Sequence, residues 1–190
     1  MLDTNRVGNR AAVILVLGLA LAACGGDEVT TSTDAPTATT TTEPTGDIVE
    51  VELNDFEFIG LSESVPAGTR LAVVNHAESE LHEMVVFKLA EGEQRSASEL
   101  AGLDPLDLEA TLGAPVTVLL AAPAGEQVAA VGDGTLNEPG KYVAFCFIPT
   151  GVDPQVYLEA VAQSQDGPPQ IEGVGPPHFV HGMLADFDVG

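Results

Sequence analysis

From Ile48 onward, apolar and polar residues alternate in short runs that turn residues interrupt. Ile48-Val49-Glu50-Val51-Glu52-Leu53 alternates apolar and acidic residues over most of its length, the period of a half-buried strand. Phe56 and Phe58 repeat the alternation after Asn54-Asp55. Val65-Pro66-Ala67-Gly68 reads as a tight turn, since Pro presets φ and Gly is free to take φ > 0. Strands are then expected over Thr69 to Asn75 and His82 to Leu89, with a polar loop from His76 to Leu81 between them. Further strands are expected near Val116 to Leu120, Gln127 to Val131, Lys141 to Ile148 and Met183 to Val189.

Two stretches break this rhythm. Residues 90–113 carry one or two short helices, with Ser98 and Asp104 as N-caps and Pro105 at the first helical position. Residues 150–177 form an insertion between the last two strands. It opens with a helix over Asp153 to Ala162 and continues through the Pro/Gly-rich runs 167–169 and 173–177. Seven or so short strands with turns between them predict an all-β, antiparallel β-sandwich with short helical insertions. No internal repeat is visible.

The first 47 residues change the picture from a domain to an exported, tethered domain. Arg6 and Arg10 precede the apolar run Ala11 to Ala23, which is too short to span a bilayer comfortably. Leu21-Ala22-Ala23-Cys24 then resembles a bacterial lipoprotein signal, which implies a signal peptide over 1–23 and lipidation of Cys24. Residues 24–47 read as the lipidated Cys and a disordered Thr-rich tether, able to reach about 60 Å at about 3 Å per residue. The domain proper is 48–190. The expected location is the extracytoplasmic face of a bacterial membrane.

Charge narrows the partners. Six Lys and Arg against 29 Asp and Glu give a net charge of −23, which argues against nucleic acid. An acidic surface suits a basic partner protein, and it equally suits solubility alone.

Only two cysteines are present, and lipidation of Cys24 leaves Cys146 without a disulfide partner in an oxidising compartment. Such a thiol is buried, reactive or metal-bound. Its sequence neighbourhood favours the last: a strand runs into Cys146, and His178, His181 and Met183 gather at the start of the next one. Thiolate, imidazole and thioether are donors that copper takes in both oxidation states.

At these residues the chain resembles the cupredoxins, the plastocyanin-like and azurin-like blue copper domains. His82-Glu83-Met84-Val85-Val86-Phe87 resembles the family's first ligand at a strand start. Pro139-Gly140-Lys141-Tyr142 leading to Cys146 resembles its strand to the Cys, and His178 and Met183 keep the family's His-x4-Met spacing. The resemblance implies a Greek-key sandwich and one type 1 copper ion held by His82, Cys146, His178 and Met183, with His181 as alternate ligand. It also implies electron transfer to a redox partner protein rather than enzyme activity. Phe145, Phe147, Pro149 and Phe179 would wall the site from water. This chain departs from the family in that residues 147–177 separate Cys146 from the next His.

Two other readings stand beside an anchored electron carrier. His82-x-Met84 and His181-x-Met183 are two His-x-Met pairs suited to Cu(I), as in a copper carrier. A metal-free cupredoxin-like module that docks a partner through its acidic surface is the third. A Cys-His hydrolase is remote, because Cys146 lies in an apolar strand with no helix N-terminus to activate it. His76 reads as a loop residue.

Overall fold

The computed structural model describes residues 46–164, 169, 171 and 174–190. The signal peptide, Cys24 and all but the end of the tether lie outside the described residues. Among the described residues no helix is long and apolar enough to cross a membrane.

Among the described residues ten strands form the domain: β1 (Ile48–Asn54), β2 (Glu57–Ile59), β3 (Ser64–Val65), β4 (Thr69–Asn75), β5 (His82–Lys88), β6 (Thr117–Ala121), β7 (Gly125–Val131), β8 (Thr135–Leu136), β9 (Gly140–Phe145) and β10 (Leu184–Val189). Three α-helices accompany them among the described residues: α1 (Ala97–Ala101), α2 (Pro105–Leu112) and α3 (Pro154–Gln163). The strands follow the order β2-β1-β4-β7-β6-β5-β9-β10-β3, with β8 on β4. β7 passes between two sheets, pairing β4 on one side and β6 on the other.

The expected sandwich is therefore present, with one difference. Most pairs are antiparallel, but β1 runs parallel to β4 and β10 parallel to β3. Alternation in β1 and β4 specifies which side chains face inward, and it does so equally for either strand direction. Direction is decided by the connection, and β2 and β3 lie along the chain between β1 and β4.

The main core lies between the sheets. Val51 and Leu53 of β1 and Leu71 and Val73 of β4 meet Met84 and Val86 of β5, Tyr142 and Ala144 of β9, and Phe187 and Val189 of β10. A second core covers the other face of the β5–β9 sheet. There Val85, Phe87, Val143 and Phe145 pack against Ala97 and Leu100 of α1 and Leu108 and Leu112 of α2. This layer explains why β5 is buried at nearly every position rather than at alternate ones.

Local chemistry fixes the helices. Ser96 caps α1, its Oγ accepting from Glu99 N–H at 3.2 Å while Glu99 Oε2 accepts from Ser96 N–H at 2.8 Å. Ser98, the expected cap, is instead inside the helix. Asp104 and Asp153 cap α2 and α3 as expected, each followed by Pro. Asp186 Oδ1 of β10 accepts from Ala97 N–H at 2.8 Å and ties α1 to the sheet. Leu100 is fully buried in this layer. Leu100→Ala should therefore cost about 2–5 kcal/mol by chemical denaturation, and a loss below 1 kcal/mol would mean the helical layer does not fold with the sheet.

Candidate metal centre

β5, β9 and β10 are neighbours in one sheet, and their registers bring the start of β5, the end of β9 and the start of β10 to one end of the sandwich. Val85 pairs with Phe145, and Leu184 pairs with Phe145 from the other side. On β5, His82, Met84 and Val86 share a face, and it is the face of the main core. Cys146 follows β9 on the same inward side as Tyr142 and Ala144.

Residues 147–177 do not open this end, because the insertion closes at its base. Pro149 and Pro177 form an antiparallel bridge. Thr150 N–H donates to Pro176 O at 2.9 Å, and Gly175 N–H donates to Thr150 O at 2.9 Å. His178 N–H reaches Ile148 O at 2.9 Å, and Phe179 N–H reaches Cys146 O at 3.0 Å. The two ends of the insertion are thus held as a stem, and Val152 and Tyr157 within it join the main core with Cys146 and Met183. Loop entropy grows slowly with length, so such a stem suffices.

His178 opens a short 3-10 turn, His178–His181, which ends at Gly182. Gly182 takes φ 112°, in the range that favours glycine, and so turns the chain into β10. Met183 N–H donates to His178 O at 3.2 Å, and Cys146 N–H donates to Met183 O at 3.1 Å.

His82, Cys146 and His178 come together, their ligand atoms all within 4.8 Å of one another. His82 Nδ1 lies 3.0 Å from His178 Nδ1, and Cys146 Sγ lies 3.4 Å from His178 Nδ1. All three are fully buried, as is Met183. His181 is exposed, with its ring against Phe56 at 4.8 Å, outside the cluster. His76 is also apart, beside Glu52 at 3.8 Å. Phe145, Phe147 and Phe179 pack on one another at 5.3–5.7 Å, and they do so in the second core, with Phe87 and the α1–α2 layer.

The cluster fits a soft or borderline cation. Two imidazole lone pairs at 3.0 Å repel unless a proton or a cation lies between them, and a thiol within 3.4 Å supplies an anionic donor. Copper at this place would be held by His82, Cys146 and His178, with Met183 adjoining.

Sequence reasoning missed four neighbours. Glu83 is buried, its own N–H approaching Cys146 Sγ at 3.5 Å and its Oε1 accepting from Phe147 N–H at 3.2 Å. A carboxylate inside the apolar run of β5 was the available signal. Phe56 holds φ 65°, unusual for a residue with a Cβ, and packs edge-on to His178 at 5.0 Å. Asp55 and Glu80 face the outer edges of the two buried imidazoles.

Burial sets the electrostatics. It pushes the Cys146 thiol well up, with the Glu83 carboxylate adding to the shift. It lowers His82, against the opposing pull of Asp55. His178 falls to about 4 through burial and the nearby His82 and His181. Glu83 rises to about 7 through burial, opposed by the hydrogen bond from Phe147 N–H.

In metal-free protein the last two act in opposite senses. The unfolded His178 takes a proton near 6.5 and the folded one only near 4, so stability falls as pH drops across that window. The folded Glu83 keeps its proton to about 7 and the unfolded one only to about 4.5, so stability falls as pH rises across that window. Their slopes oppose between 4.5 and 6.5. Glu83→Gln removes one of them, and its stability should rise with pH over that range more steeply than that of the native chain. Denaturation midpoints at three pH values check this, and identical slopes would contradict it.

No family model matches the chain, and no curated protein matches it. Solved structures that match include reduced auracyanin from the photosynthetic bacterium Roseiflexus castenholzii, 16% identical, TM-score 0.44, covering 76% of this chain and 98% of that one. Auracyanin B matches at 16% identity and TM-score 0.34, over 78% of this chain and 91% of that one. Auracyanin A, described as a "blue" copper protein from Chloroflexus aurantiacus, matches at 15% and 0.37, over 75% and 99%. Among the described residues the chain itself is a mixed β-sandwich with few short helices, and its ligand cluster lies at one end of it. Its His82-Cys146-His178 cluster, with Met183 beside it, is suited to one copper ion.

Proposed function

We propose that this chain is a lipid-anchored, extracytoplasmic type 1 copper protein that carries electrons to and from a partner protein, rather than an enzyme. One observation carries the reading: an imidazole from the start of β5, a thiol just past the end of β9 and an imidazole from the 3-10 turn before β10 converge within 4.8 Å in a fully buried cluster. Copper supplies the one-electron change there. The chain's residues hold the donors on hydrogen-bonded strand ends and the stem of the insertion, so little has to move when the charge changes. Full burial of Cys146 keeps water from the thiol. The lipid anchor at Cys24 and the tether through 47 are proposed on the sequence alone, and an acidic surface suits a basic redox partner.

The carrier reading fits less well. A carrier hands its ion over through exposed donors, whereas His82, Met84 and Met183 are fully buried, and exposed His181 packs its ring against Phe56. Titration with Cu(II) separates the readings. One equivalent should give an intense visible absorption from thiolate-to-copper charge transfer. A colourless, stoichiometric Cu(I) complex would favour the carrier, and no uptake of either ion would leave a metal-free docking module.

A further inference from the structure

The inner nitrogens of the imidazole pair belong to the cluster, while the outer ones are unpaired. His82 Nε2 and His178 Nε2 are buried and make no hydrogen bond. Each nevertheless faces one carboxylate oxygen. Asp55 Oδ1 lies 3.6 Å from His82 Nε2, and Glu80 Oε2 lies 3.5 Å from His178 Nε2. Glu80 Oε2 is itself buried and without a hydrogen-bond partner. Two buried imidazole nitrogens, each a few tenths of an ångström beyond bonding distance from a carboxylate, are costly as they stand. They become favourable if each Nε2 carries a proton and donates it.

That protonation has a consequence on the other side of the ring. A neutral imidazole holds one proton, so a proton on Nε2 leaves the Nδ1 lone pair free. Both Nδ1 atoms point into the cluster, where His178 Nδ1 also meets Cys146 Sγ. The opposite tautomer would set a nitrogen lone pair against a carboxylate oxygen. The carboxylates thus select the tautomer that presents lone pairs to a metal.

The two are not equally placed. Asp55 sits in the β1–β2 turn with its side chain 64% exposed, where water competes for it. Glu80 is 22% exposed, and its backbone carbonyl is held by the side chain of buried Asn75 at 2.8 Å. Asn75 Oδ1 in turn accepts from Ala77 N–H at 2.9 Å, so a hydrogen-bonded loop fixes the approach of Glu80.

We infer that Asp55 and Glu80 are positioning residues of the copper centre: they accept the outer N–H of His82 and His178, fix which nitrogen faces the metal, and as anions behind the ligands favour Cu(II) over Cu(I), Glu80 the more strongly. This rests on the metal-centre reading above. Outer partners of this kind commonly change metal affinity 10–100-fold.

The test uses the full chain with two ions. With Zn(II), which needs no redox chemistry, ring nitrogen NMR should place the proton of both His82 and His178 on Nε2. Glu80→Ala should then weaken Zn(II) about tenfold or more and move the His178 ring N–H signal, while Asp55→Asn does less. With copper, Glu80→Gln keeps an acceptor and removes the charge. It should shift the Cu(I)-to-Cu(II) preference about tenfold towards Cu(I), read as a midpoint raised by about 59 mV for a one-electron couple. Glu80→Asp, which keeps the charge, should recover part of that shift. A merely structural Glu80 would lower the melting temperature and leave midpoint and ring signals in place, which overturns the inference. So would Nδ1 protons on both rings of the Zn(II) form. If Zn(II) binds with Nε2 protons but copper gives no thiolate band, the electron-carrier reading fails and the inference stands. Uptake of neither ion overturns both.

Discussion

Cys146→Ser should take up Cu(II) without the intense visible absorption expected of the native chain. The band requires a sulfur bound to the metal, and Cys146 is the free thiol among the described residues. Burial and Glu83 hold that thiol protonated at neutral pH in metal-free protein. A cation must therefore displace the proton, and its binding should weaken as pH falls. Serine offers a hydroxyl that is far harder to ionise, so the anionic donor is lost with the colour. The protein should still fold: Cys146 is a small buried side chain whose sulfur is met by Glu83 N–H at 3.5 Å and His178 Nδ1 at 3.4 Å, and a hydroxyl there costs about 1–3 kcal/mol. Absorption during a Cu(II) titration checks the expectation. Survival of the band in the variant would remove Cys146 from the centre.

The sequence made the strands and three of the clustered residues readable because each depends on local pattern. Alternation in β5 puts His82 on the core face, and the apolar strand β9 delivers Cys146 to the same face. Asp104 and Asp153 were legible as caps because Pro follows each. The capping box Ser96-Ala97-Ser98-Glu99 is equally local: Glu99 reciprocates Ser96, whereas Ala101, three residues after Ser98, cannot. What sequence could not give depends on distant chain segments meeting. The parallel pairing of β1 with β4 is one case, since alternation is blind to strand direction. The carboxylates over the imidazoles are another. Asp55 and His82 are brought together only by the sandwich, and Glu80 meets a ring from the far end of the chain. The stem that closes the base of the long insertion is a backbone hydrogen-bond pattern with no residue signature beyond its prolines.

His178 and His181 were interchangeable on residue type, and a pair of variants separates them. His178→Ala should abolish the coloured complex and weaken copper by more than the about 10–100-fold that losing an outer partner costs. The reason is geometric. His178 Nδ1 is the atom that approaches both other donors, at 3.0 Å to His82 Nδ1 and 3.4 Å to Cys146 Sγ, so its removal leaves a lone imidazole and a thiol. His181→Ala should keep the colour, with stability changed by no more than about 0.5 kcal/mol, as for an exposed side chain. Its ring touches Phe56 at 4.8 Å, so what it can disturb is the packing of that phenylalanine over His178. His181 could replace His178 only if the 3-10 turn rewound, and that turn is held by Phe179 N–H on Cys146 O and Met183 N–H on His178 O. Copper titrations of both variants decide the matter: a colourless His181→Ala beside a coloured His178→Ala would reverse the assignment. The same backbone bonds seat Met183 against the cluster, so the turn that excludes His181 also delivers the thioether.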